Sequence, residues 1–320
     1  MIPRSPGAKD LISLVVPFYN ESEVIDAFFR EVNPVLRNIA NADYEIVCVN
    51  DGSTDSTLDH LLTACAADPR IKVIDLSRNF GKEAAMTAGI DAATGEAVIP
   101  FDADLQDPPE AIPAMVEKWR EGFDVVLAKR AERQTDTYAK RSSAALFYRV
   151  HNAISDIKIP ANAGDFRLMS RPAVDALKQL PENRRFMKGL FAWIGFRTAE
   201  IEYSRRPRAA GKTKFSGWKL WNFALEGMTS FSTLPLRIWT YIGGLTAAFA
   251  MLYSAYLMLR TLIRGVDIPG YASIITAVLF LGGVQLIGIG VIGEYIGRMY
   301  VETKRRPIYI IRKIYQQGDS

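Results

Sequence analysis

Three oxygen-bearing side chains stand at alternate positions after an apolar stretch: Asp102, Asp104 and Gln106. The apolar residues at 97–100 predict a buried strand that ends where these side chains begin. Because alternate residues of an extended chain point the same way, we expect their oxygens to face one space. Such oxygens suit Mg²⁺ or Mn²⁺, which bind one or two carboxylates while substrate phosphates and water complete the shell. These residues therefore predict a metal site for a substrate that carries a diphosphate.

The same acidic run has a second interpretation. Asp107, Pro108 and Pro109 mark the start of a helix, and acidic residues are frequent helix caps. An Asp-x-Asp triplet is also common in proteins. The triplet alone therefore leaves metal binding and helix capping open, and the neighbouring elements have to decide between them.

Strand and helix patterns alternate before and after the triplet. Apolar stretches at 11–16, 44–49, 71–76, 97–100 and 125–128 predict strands, and helical patterns fall around 24–39, 58–62, 86–93 and 110–120. This alternation predicts an α/β fold with a mainly parallel sheet flanked by helices. Ligands bind such sheets at the carboxyl ends of the strands. Polar turns at 17–21, 51, 78–82 and 102–106 all fall there, which favours a nucleotide site.

Two long runs without charged residues follow, at 238–259 and 268–293. Each exceeds the about 20 residues that a helix needs to cross a bilayer, and core helices rarely stay apolar on every face for so long. We expect a cytoplasmic catalytic domain at 1–214, an interfacial amphipathic helix at 215–236 and a basic tail at 298–320. Between them we expect a transmembrane hairpin at 237–297, with spans near 238–261 and 268–293.

Charge patterning indicates how such a hairpin would be oriented. Basic residues gather outside it, at Lys212, Lys214, Lys219, Arg237, Arg298, Lys304, Arg305, Arg306, Arg312 and Lys313. The positive-inside tendency then places both termini and the catalytic domain in the cytoplasm. The net charge of +4 reflects flanks suited to anionic lipid headgroups, and the aromatic-basic pattern of a nucleic-acid module is not seen. We therefore expect membrane lipids as partners, and no nucleic acid.

The motifs together resemble a known family. VVPFYNE at 15–21, VNDGSTD at 49–55 and DADLQD at 102–107 resemble successive motifs of family 2 glycosyltransferases with the GT-A fold. RNFGK at 78–82, GDFR at 164–167 and the paired apolar runs narrow the resemblance to polyprenyl-phosphate glycosyltransferases, relatives of dolichol-phosphate mannose synthase. FMKG at 186–189, FAW at 191–193 and WKLWN at 218–222 are most similar to bactoprenol glucosyltransferases. The resemblance covers about residues 11 to 311.

The resemblance implies a reaction. A hexose, most simply glucose, would pass with inversion from a UDP-sugar to undecaprenyl or another polyprenyl phosphate. The product would be a lipid-linked sugar donor for surface polysaccharide modification, made at the cytoplasmic face of the bacterial inner membrane by a multi-pass protein. Mannose, N-acetylhexosamine or aminoarabinose derivatives stay open as the transferred sugar. A homo-oligomer is also expected, because tetramers occur among the nearest relatives.

The resemblance further implies roles for individual residues. Mg²⁺ or Mn²⁺ would be coordinated by Asp102, Asp104 and Gln106, and the nucleotide sugar would be held by Pro17, Tyr19, Glu21, Asp51, Lys82 and Asp102. The expected catalytic residues are Asp104, Arg130 and Asp165, of which Asp165 matches the position suggested as a base. The acceptor phosphate would be bound by Arg141, Arg167, Arg208 and Lys214.

Elementary chemistry leaves the role of Asp165 open. A phosphate monoester has a second pKa near about 6, so its oxygen is already mostly anionic in the cytoplasm. The acceptor scarcely needs deprotonation, and Asp165 could equally orient Arg167 or the sugar. The larger demand is to neutralise an anionic acceptor that approaches an anionic diphosphate, which the metal, Arg130, Arg208 and Lys214 would meet.

Two further segments and three alternative functions bear on this interpretation. The composition at 138–155 and at 216–231 suits helices on a membrane surface, although the first segment equally suits a solvated helix. A non-enzymatic lipid flippase subunit would leave the strand-end carboxylates unexplained. A sugar nucleotidyltransferase would normally have a glycine-rich loop after the first strand, where this chain has PFYN at 17–20. A processive synthase would need a Gln-x-x-Arg-Trp motif and more spans.

Overall fold

The computed structural model describes residues 9–130, 163–182, 187–204, 234–264 and 270–317. Three predicted phosphate-binding residues, Arg141, Arg208 and Lys214, lie outside this part, as do the membrane-surface segments predicted at 138–155 and 216–231. The described part contains a mixed sheet of eight strands with helices packed against it. The predicted α/β fold with a mainly parallel sheet is confirmed.

Four parallel strands form the centre of the sheet. β1 (Asp10–Phe18) pairs with β2 (Ala42–Asn50) and with β4 (Ala97–Pro100), and β2 pairs with β3 (Ile71–Leu76). Consecutive side chains of these strands are buried because both faces of the sheet are covered. The sequence analysis placed all four strands correctly, apart from one or two residues at the ends of β1 and β2.

Helices follow each central strand. They are α1 (Ile25–Arg37), α2 (Thr57–Ala67), α3 (Lys82–Ala92) and, after a short 3-10 turn (Pro109–Ala111), α4 (Ile112–Arg120). In α1 the buried residues recur every three or four positions, which gives the helix one apolar face. α1, α2 and α4 pack on one side of the sheet, against alternate β1 residues such as Leu14, and α3 packs on the other side, against Val15. The buried apolar residues of the central strands therefore alternate between two cores.

Three further strands extend the sheet beyond β4. β6 (Ala163–Ser170) is antiparallel to β4 and to β5 (Val125–Arg130), and β7 (Thr198–Tyr203) is parallel to β5. The short helices α5 (Arg171–Lys178) and α6 (Met187–Trp193) lie between β6 and β7 in the chain. Because β6 runs against β4, its first residues lie at the edge where β4 ends. The sequence analysis predicted β5 but neither β6 nor β7.

Two long helices and one more strand complete the described chain. α7 (Leu234–Arg264) and α8 (Tyr271–Thr303) expose large apolar side chains. Within the described residues, one stretch, Phe280–Thr303, is long and apolar enough to cross a membrane by length and composition, with 24 residues and a mean hydropathy of 1.5. β8 (Ile311–Tyr315) then pairs antiparallel with β3. The sequence analysis assigned only a basic tail to this segment.

Glu45 joins three elements near the start of β2. Its Oε1 accepts hydrogen bonds from the Ser13 hydroxyl (2.6 Å), the Thr94 amide (2.6 Å) and the Thr94 hydroxyl (2.9 Å). The Lys72 ammonium lies 3.8 Å from its second oxygen, and only 13% of the Glu45 side chain is exposed. Burial alone would raise the pKa of Glu45, but these donors and the Lys72 charge outweigh it and lower the pKa.

We predict that Glu45→Gln lowers stability in a pH-dependent way. The folded-state pKa of Glu45 lies below its ordinary value, so its stabilisation is present above the unfolded pKa of about 4.3 and is lost as the pH falls through the folded pKa. At pH 7 we expect a loss of about 1.5 to 3 kcal/mol, typical of hydrogen bonds to a charged group. Thermal unfolding midpoints in detergent between pH 3.5 and 7 measure it.

Glu121→Gln is the matched control, because Glu121 forms an exposed pair with Lys118 and has 52% of its side chain exposed. It should change the unfolding midpoint little at any pH. An equal deficit of the Glu45 variant at every pH would contradict the prediction.

Candidate active site

The end of β1 and the turn after it carry the first predicted residues: Pro17 lies in the strand, and Tyr19 and Glu21 lie in the turn. Tyr19 is 40% exposed. Asn20 has a φ of 52°, an uncommon value for a residue other than glycine. The backbone amide of Asn20 donates to the Ser53 hydroxyl (3.0 Å), and the backbone amide of Glu21 donates to the hydroxyl of Thr57, the first residue of α2 (2.9 Å). The turn after β2 therefore fixes the turn after β1 and leaves the Tyr19 ring accessible.

Asp51 follows β2 and is only 2% exposed. Its two carboxylate oxygens accept the backbone amides of Phe80 (2.7 Å) and Gly81 (2.9 Å), which belong to the loop between β3 and α3. Burial raises the pKa of Asp51 in spite of these bonds and of the nearby Arg78 charge. The carboxylate thus holds this loop against the end of β2.

Gly52 allows the same loop to approach closely. Its φ is +61°, and an added Cβ would lie 2.3 Å from the carbonyl carbon of Arg78 and 2.5 Å from the nitrogen of Asn79. Both are backbone atoms, so no side-chain rotation could relieve the clash. Only glycine suits this conformation and this distance. The polar turns after β2 and β3 are therefore in backbone contact.

The acidic loop after β4 shows the alternation that its sequence predicted. Asp102, Asp104 and Gln106 are partly exposed, and the residues between them are buried. The backbone amide of Gln106 donates to Asp104 Oδ1 (3.2 Å), and Leu105 has a φ of 54°, which is uncommon for this residue. The loop is not a regular strand, but burial separates its oxygen-bearing side chains from the apolar ones.

The next residue, Asp107, anchors this loop to β7, the strand at one end of the sheet. Asp107 is 6% exposed and accepts a hydrogen bond from the hydroxyl of Tyr203, the last residue of β7. Asp107 is therefore a structural acid, distinct from the two partly exposed aspartates before it. The sequence analysis missed Tyr203, because no local signal links a residue to a partner 96 positions away.

Lys82 connects the acidic loop with β6. Its ammonium lies 2.7 Å from Asp102 Oδ1 and 3.1 Å from Asp165 Oδ2. Loss of hydration lowers the pKa of Lys82, but the two carboxylates outweigh this effect and raise it. Three residues that the sequence analysis assigned to one site therefore meet, although they come from α3, the loop after β4 and β6. The analysis did not predict the ion pairs between them.

Arg167 lies behind Asp165 rather than at the surface. It is 4% exposed, its guanidinium carbon lies 4.0 Å from the centroid of the Phe191 ring, and its Nη2 donates to the Gly164 carbonyl (2.7 Å). Burial lowers the pKa of Arg167 to about 10, while Asp165 and Glu83 oppose the shift. Arg167 was predicted to bind the acceptor phosphate. Its position here is that of a buried neighbour of Asp165.

A row of aromatic rings supports the site from below. Phe18, Phe28, Phe101, Phe166 and Tyr203 contact one another in sequence, with ring centroids 5.3 to 6.0 Å apart and mostly edge-to-face. Three of these rings are direct chain neighbours of predicted site residues at 19, 102 and 165. Edge-to-face packing favours one relative placement of such rings. The row therefore sets the spacing between the turn after β1, the acidic loop and β6.

Arg130 ends β5 at the same edge, in register with Tyr203. Its backbone position agrees with a place beside the site, and its predicted contact with phosphate remains a prediction. The residues predicted at 141, 208 and 214 lie outside the described residues. The structure thus brings together the predicted residues of β1, β2, α3, the acidic loop and β6.

The acidic loop fits a divalent cation that arrives with its ligand. Within the described residues, no three His, Cys, Asp or Glu side chains gather closely enough to hold a metal ion on their own. Asp102, Asp104 and Gln106 offer two carboxylates and an amide at partly exposed positions. Mg²⁺ and Mn²⁺ accept such sparse sets when water and substrate oxygens complete the shell. The Lys82 ammonium beside Asp102 shows that this position already attracts positive charge.

Comparison with known proteins identifies the family of the chain. The family described as "Glycosyl transferase family 2" matches residues 13–178, and the one described as "GtrB C-terminal hairpin" matches residues 234–299. A prophage bactoprenol glucosyl transferase homolog of Escherichia coli (strain K12) is 54% identical over 303 residues, 95% of this chain and 99% of the relative. The bactoprenol glucosyl transferase of Shigella phage SfII is 53% identical over 305 residues, 95% of this chain and 98% of the relative. As the motifs predicted, the chain belongs to glycosyl transferase family 2 and is a glycosyltransferase homologous to bactoprenol glucosyl transferases.

Proposed function

We propose that this enzyme transfers a hexose, most simply glucose, from a UDP-sugar to undecaprenyl or another polyprenyl phosphate. The observation that carries the transfer chemistry is the convergence of Asp102, Asp165 and Lys82 at the carboxyl edge of the sheet. The choice of glucose and of a prenyl phosphate is supported by the near-full-length similarity to bactoprenol glucosyl transferases.

The nucleotide would lie over the turns after β1 and β2. The accessible Tyr19 ring offers an aromatic face for the base, next to Pro17 and Glu21. Asp51 would act close to the base and ribose by holding the amides of Phe80 and Gly81 in place. Both turns are fixed by hydrogen bonds before any ligand binds. This preorganisation reduces the ordering cost of binding.

The diphosphate would lie over the acidic loop. Asp102, Asp104 and Gln106 would hold Mg²⁺ or Mn²⁺, which when bound supplies Lewis-acid stabilisation of the departing nucleotide diphosphate. The Lys82 ammonium already lies beside Asp102 and Asp165, so it would also lie near the phosphates. A lysine in this place lowers the repulsion between an anionic substrate and two carboxylates.

Asp165 would position groups around the sugar. Its carboxylate is held by the Lys82 ammonium, and the buried Arg167 lies behind it. Direct contact of Arg167 with the acceptor phosphate stays a prediction, and its burial favours an indirect role through Asp165. Arg130 would approach the acceptor from the end of β5, with Arg141, Arg208 and Lys214 supplying further positive charge. A single in-line displacement would then turn an α-linked donor into a β-linked product.

The helices after the catalytic domain would hold the site at the membrane. We propose two spans with both termini in the cytoplasm, supported by the exposed apolar side chains of α7 and α8 and by the basic residues outside them. A prenyl phosphate presents its headgroup at the membrane surface, so the catalytic edge has to lie near that plane. The described apolar stretch Phe280–Thr303 is the part of this proposal that length and composition support directly.

We predict that the purified protein moves label from UDP-[¹⁴C]glucose to undecaprenyl phosphate in the presence of Mg²⁺ or Mn²⁺, and that the organic-phase product is β-linked. A panel with UDP-N-acetylhexosamines, UDP-aminoarabinose derivatives and GDP-mannose establishes the sugar. Asp104→Ala should reduce transfer by at least about 100-fold, because it removes one of two expected carboxylate ligands.

Several outcomes would contradict this proposal. Release of pyrophosphate would indicate a nucleotidyltransferase, and a growing polymer would indicate a processive synthase. An α-linked lipid product would exclude a single displacement, and full activity of the Asp104 variant in chelator would exclude the metal site. The variant's unfolding midpoint should match that of the wild type.

We predict that Asp165→Asn lowers kcat about 10- to 100-fold without removing the acidic limb of the pH–rate profile. The acceptor phosphate ionises near about pH 6, and this ionisation should limit the rate in both proteins if Asp165 positions groups rather than accepts a proton. Asp175→Asn is the control, because Asp175 lies in α5 with 55% of its side chain exposed. Disappearance of the acidic limb in the Asp165 variant alone would instead identify Asp165 as the base.

We predict that Gly52→Ala weakens UDP binding at least about 10-fold. The new Cβ would push the backbone at Arg78 away and disturb the amides that Asp51 holds. Gly122→Ala is the matched control: Gly122 also has a positive φ, +97°, but its Cβ would meet only an Arg197 side-chain nitrogen at 3.9 Å. Both variants should lose some stability from backbone strain. Calorimetric titration with UDP and Mn²⁺ measures the difference, and equal affinities would refute the argument.

A further inference from the structure

The chain returns to the catalytic sheet after its long apolar helices. β8 lies beside β3, with Lys313 in register with Asp75, and the Ser77 amide donates to the Ile310 carbonyl (2.9 Å). β3 leads into the loop that ends at Lys82, the first residue of α3. The last strand in the chain is thus the immediate neighbour of one that shapes the candidate active site.

Asp75, in β3, is the buried residue that a side chain of β8 contacts. It is 1% exposed, yet it carries a carboxylate, and a buried charge is costly unless it is paired. Within the described residues its oxygens have two side-chain partners. Asn50 Nδ2 donates to Oδ1 (2.7 Å), and Arg312 Nη1 donates to Oδ2 (3.2 Å). Of these two partners, only Arg312 carries a positive charge.

Arg312 also binds the start of the loop after β3. Its Nη2 donates to the Ser77 carbonyl (2.8 Å), and 59% of its side chain remains exposed. One guanidinium therefore holds both the buried carboxylate and the backbone just before Arg78. The backbone of the next two residues, Arg78 and Asn79, is the part that Gly52 allows to approach the turn after β2.

Asn50 connects Asp75 to the turns after β2 and β1. It ends β2 in register with Asp75 and directly precedes Asp51. While its Nδ2 binds Asp75, its Oδ1 accepts the Ser53 amide (3.3 Å). Ser53 in turn accepts the Asn20 amide through its hydroxyl (3.0 Å). Four hydrogen bonds therefore lead from Arg312 to the residue beside Tyr19.

We infer that Arg312 is a positioning residue for the donor nucleotide and acts through Asp75 and Asn50. Without the guanidinium, the Asp75 carboxylate would keep only the amide of Asn50 among these partners and would be a buried charge with no cation beside it. Entry of water or rearrangement around this charge would change its bond with Asn50, and so would move the side chain that orients Ser53. The inference deepens the proposed function, on which it rests, because it assigns a role in donor binding to a residue after the membrane helices.

Other contacts separate this role from simple attachment of the C-terminal strand. The Tyr309 hydroxyl donates to Asp91 (2.8 Å), and the Cys65 thiol donates to the Tyr315 carbonyl (3.6 Å). The backbone pairing of β8 with β3 does not involve the guanidinium. Removal of the Arg312 side chain should therefore leave the strand in place while the carboxylate loses its cation.

The test compares Arg312→Ala, the double variant Arg312→Ala/Asp75→Asn and Lys313→Ala in the full-length protein in detergent. Lys313 is a neighbouring cation of the same strand whose ammonium lies over the Tyr315 ring at 4.8 Å. We expect Arg312→Ala to raise the KM for the nucleotide sugar about 5- to 10-fold, with the KM for undecaprenyl phosphate and kcat within about twofold. Adding Asp75→Asn should restore the donor KM to within about twofold, because the new amide keeps an oxygen for Asn50 and needs no cation. Lys313→Ala should behave like the wild type.

A parallel rise of both KM values with a lower unfolding midpoint, unrelieved by Asp75→Asn, would show that Arg312 only attaches the strand and would overturn the inference. An unchanged donor KM in Arg312→Ala would overturn it as well. Titration of each variant with UDP and Mn²⁺ keeps this test separate from the proposed reaction. If the wild type transfers no sugar to lipid, the proposed function fails, whereas a weaker UDP affinity of Arg312→Ala that the double variant restores would still support the inference.

Discussion

Three charges share a small volume at the carboxyl edge of the sheet. The Lys82 ammonium lies 2.7 Å from Asp102 and 3.1 Å from Asp165, and each carboxylate would repel the other without it. Lys82 is the first residue of α3, a helix that is largely buried, so its backbone cannot move away from the site alone. The site is therefore a local balance of charge that both a divalent cation and an anionic diphosphate would disturb on binding.

The sheet topology makes this balance attainable. β4 ends at the acidic loop, whereas β6 begins beside it because the two strands are antiparallel. A parallel β6 would have carried Asp165 to the opposite edge. The aromatic row from Phe18 to Tyr203 then fixes the spacing of these chain segments, and the bond between Tyr203 and Asp107 ties the acidic loop to β7. The packing of the aromatic row thus helps to determine that Lys82, Asp102 and Asp165 meet at this edge of the sheet.

The turns after β1 and β2 depend on close approach between backbone segments. Asp51 binds two amides of the loop after β3, Gly52 leaves room for that loop, and Asn20 keeps a positive φ while bonded to Ser53. Such conformations persist when surrounding hydrogen bonds over-determine them. β8 adds to this frame from the other side through Asp75, so the chain that follows the apolar helices helps to hold the turns that would bind the donor.

The sequence by itself determined the central strands, the helices between them and the polar turns at one edge, because side-chain periodicity and turn residues are local properties of the chain. It also determined the family, and it predicted that the oxygens of Asp102 and Asp104 would point to the same side of the acidic loop. Only the tertiary structure decided that Lys82 joins Asp102 to Asp165, that Arg167 is buried, and that β6, β7 and β8 complete the sheet. These features depend on partners far apart in the chain, 83 residues for Lys82 and Asp165 and 237 for Arg312 and Asp75, and no local pattern encodes such a pairing.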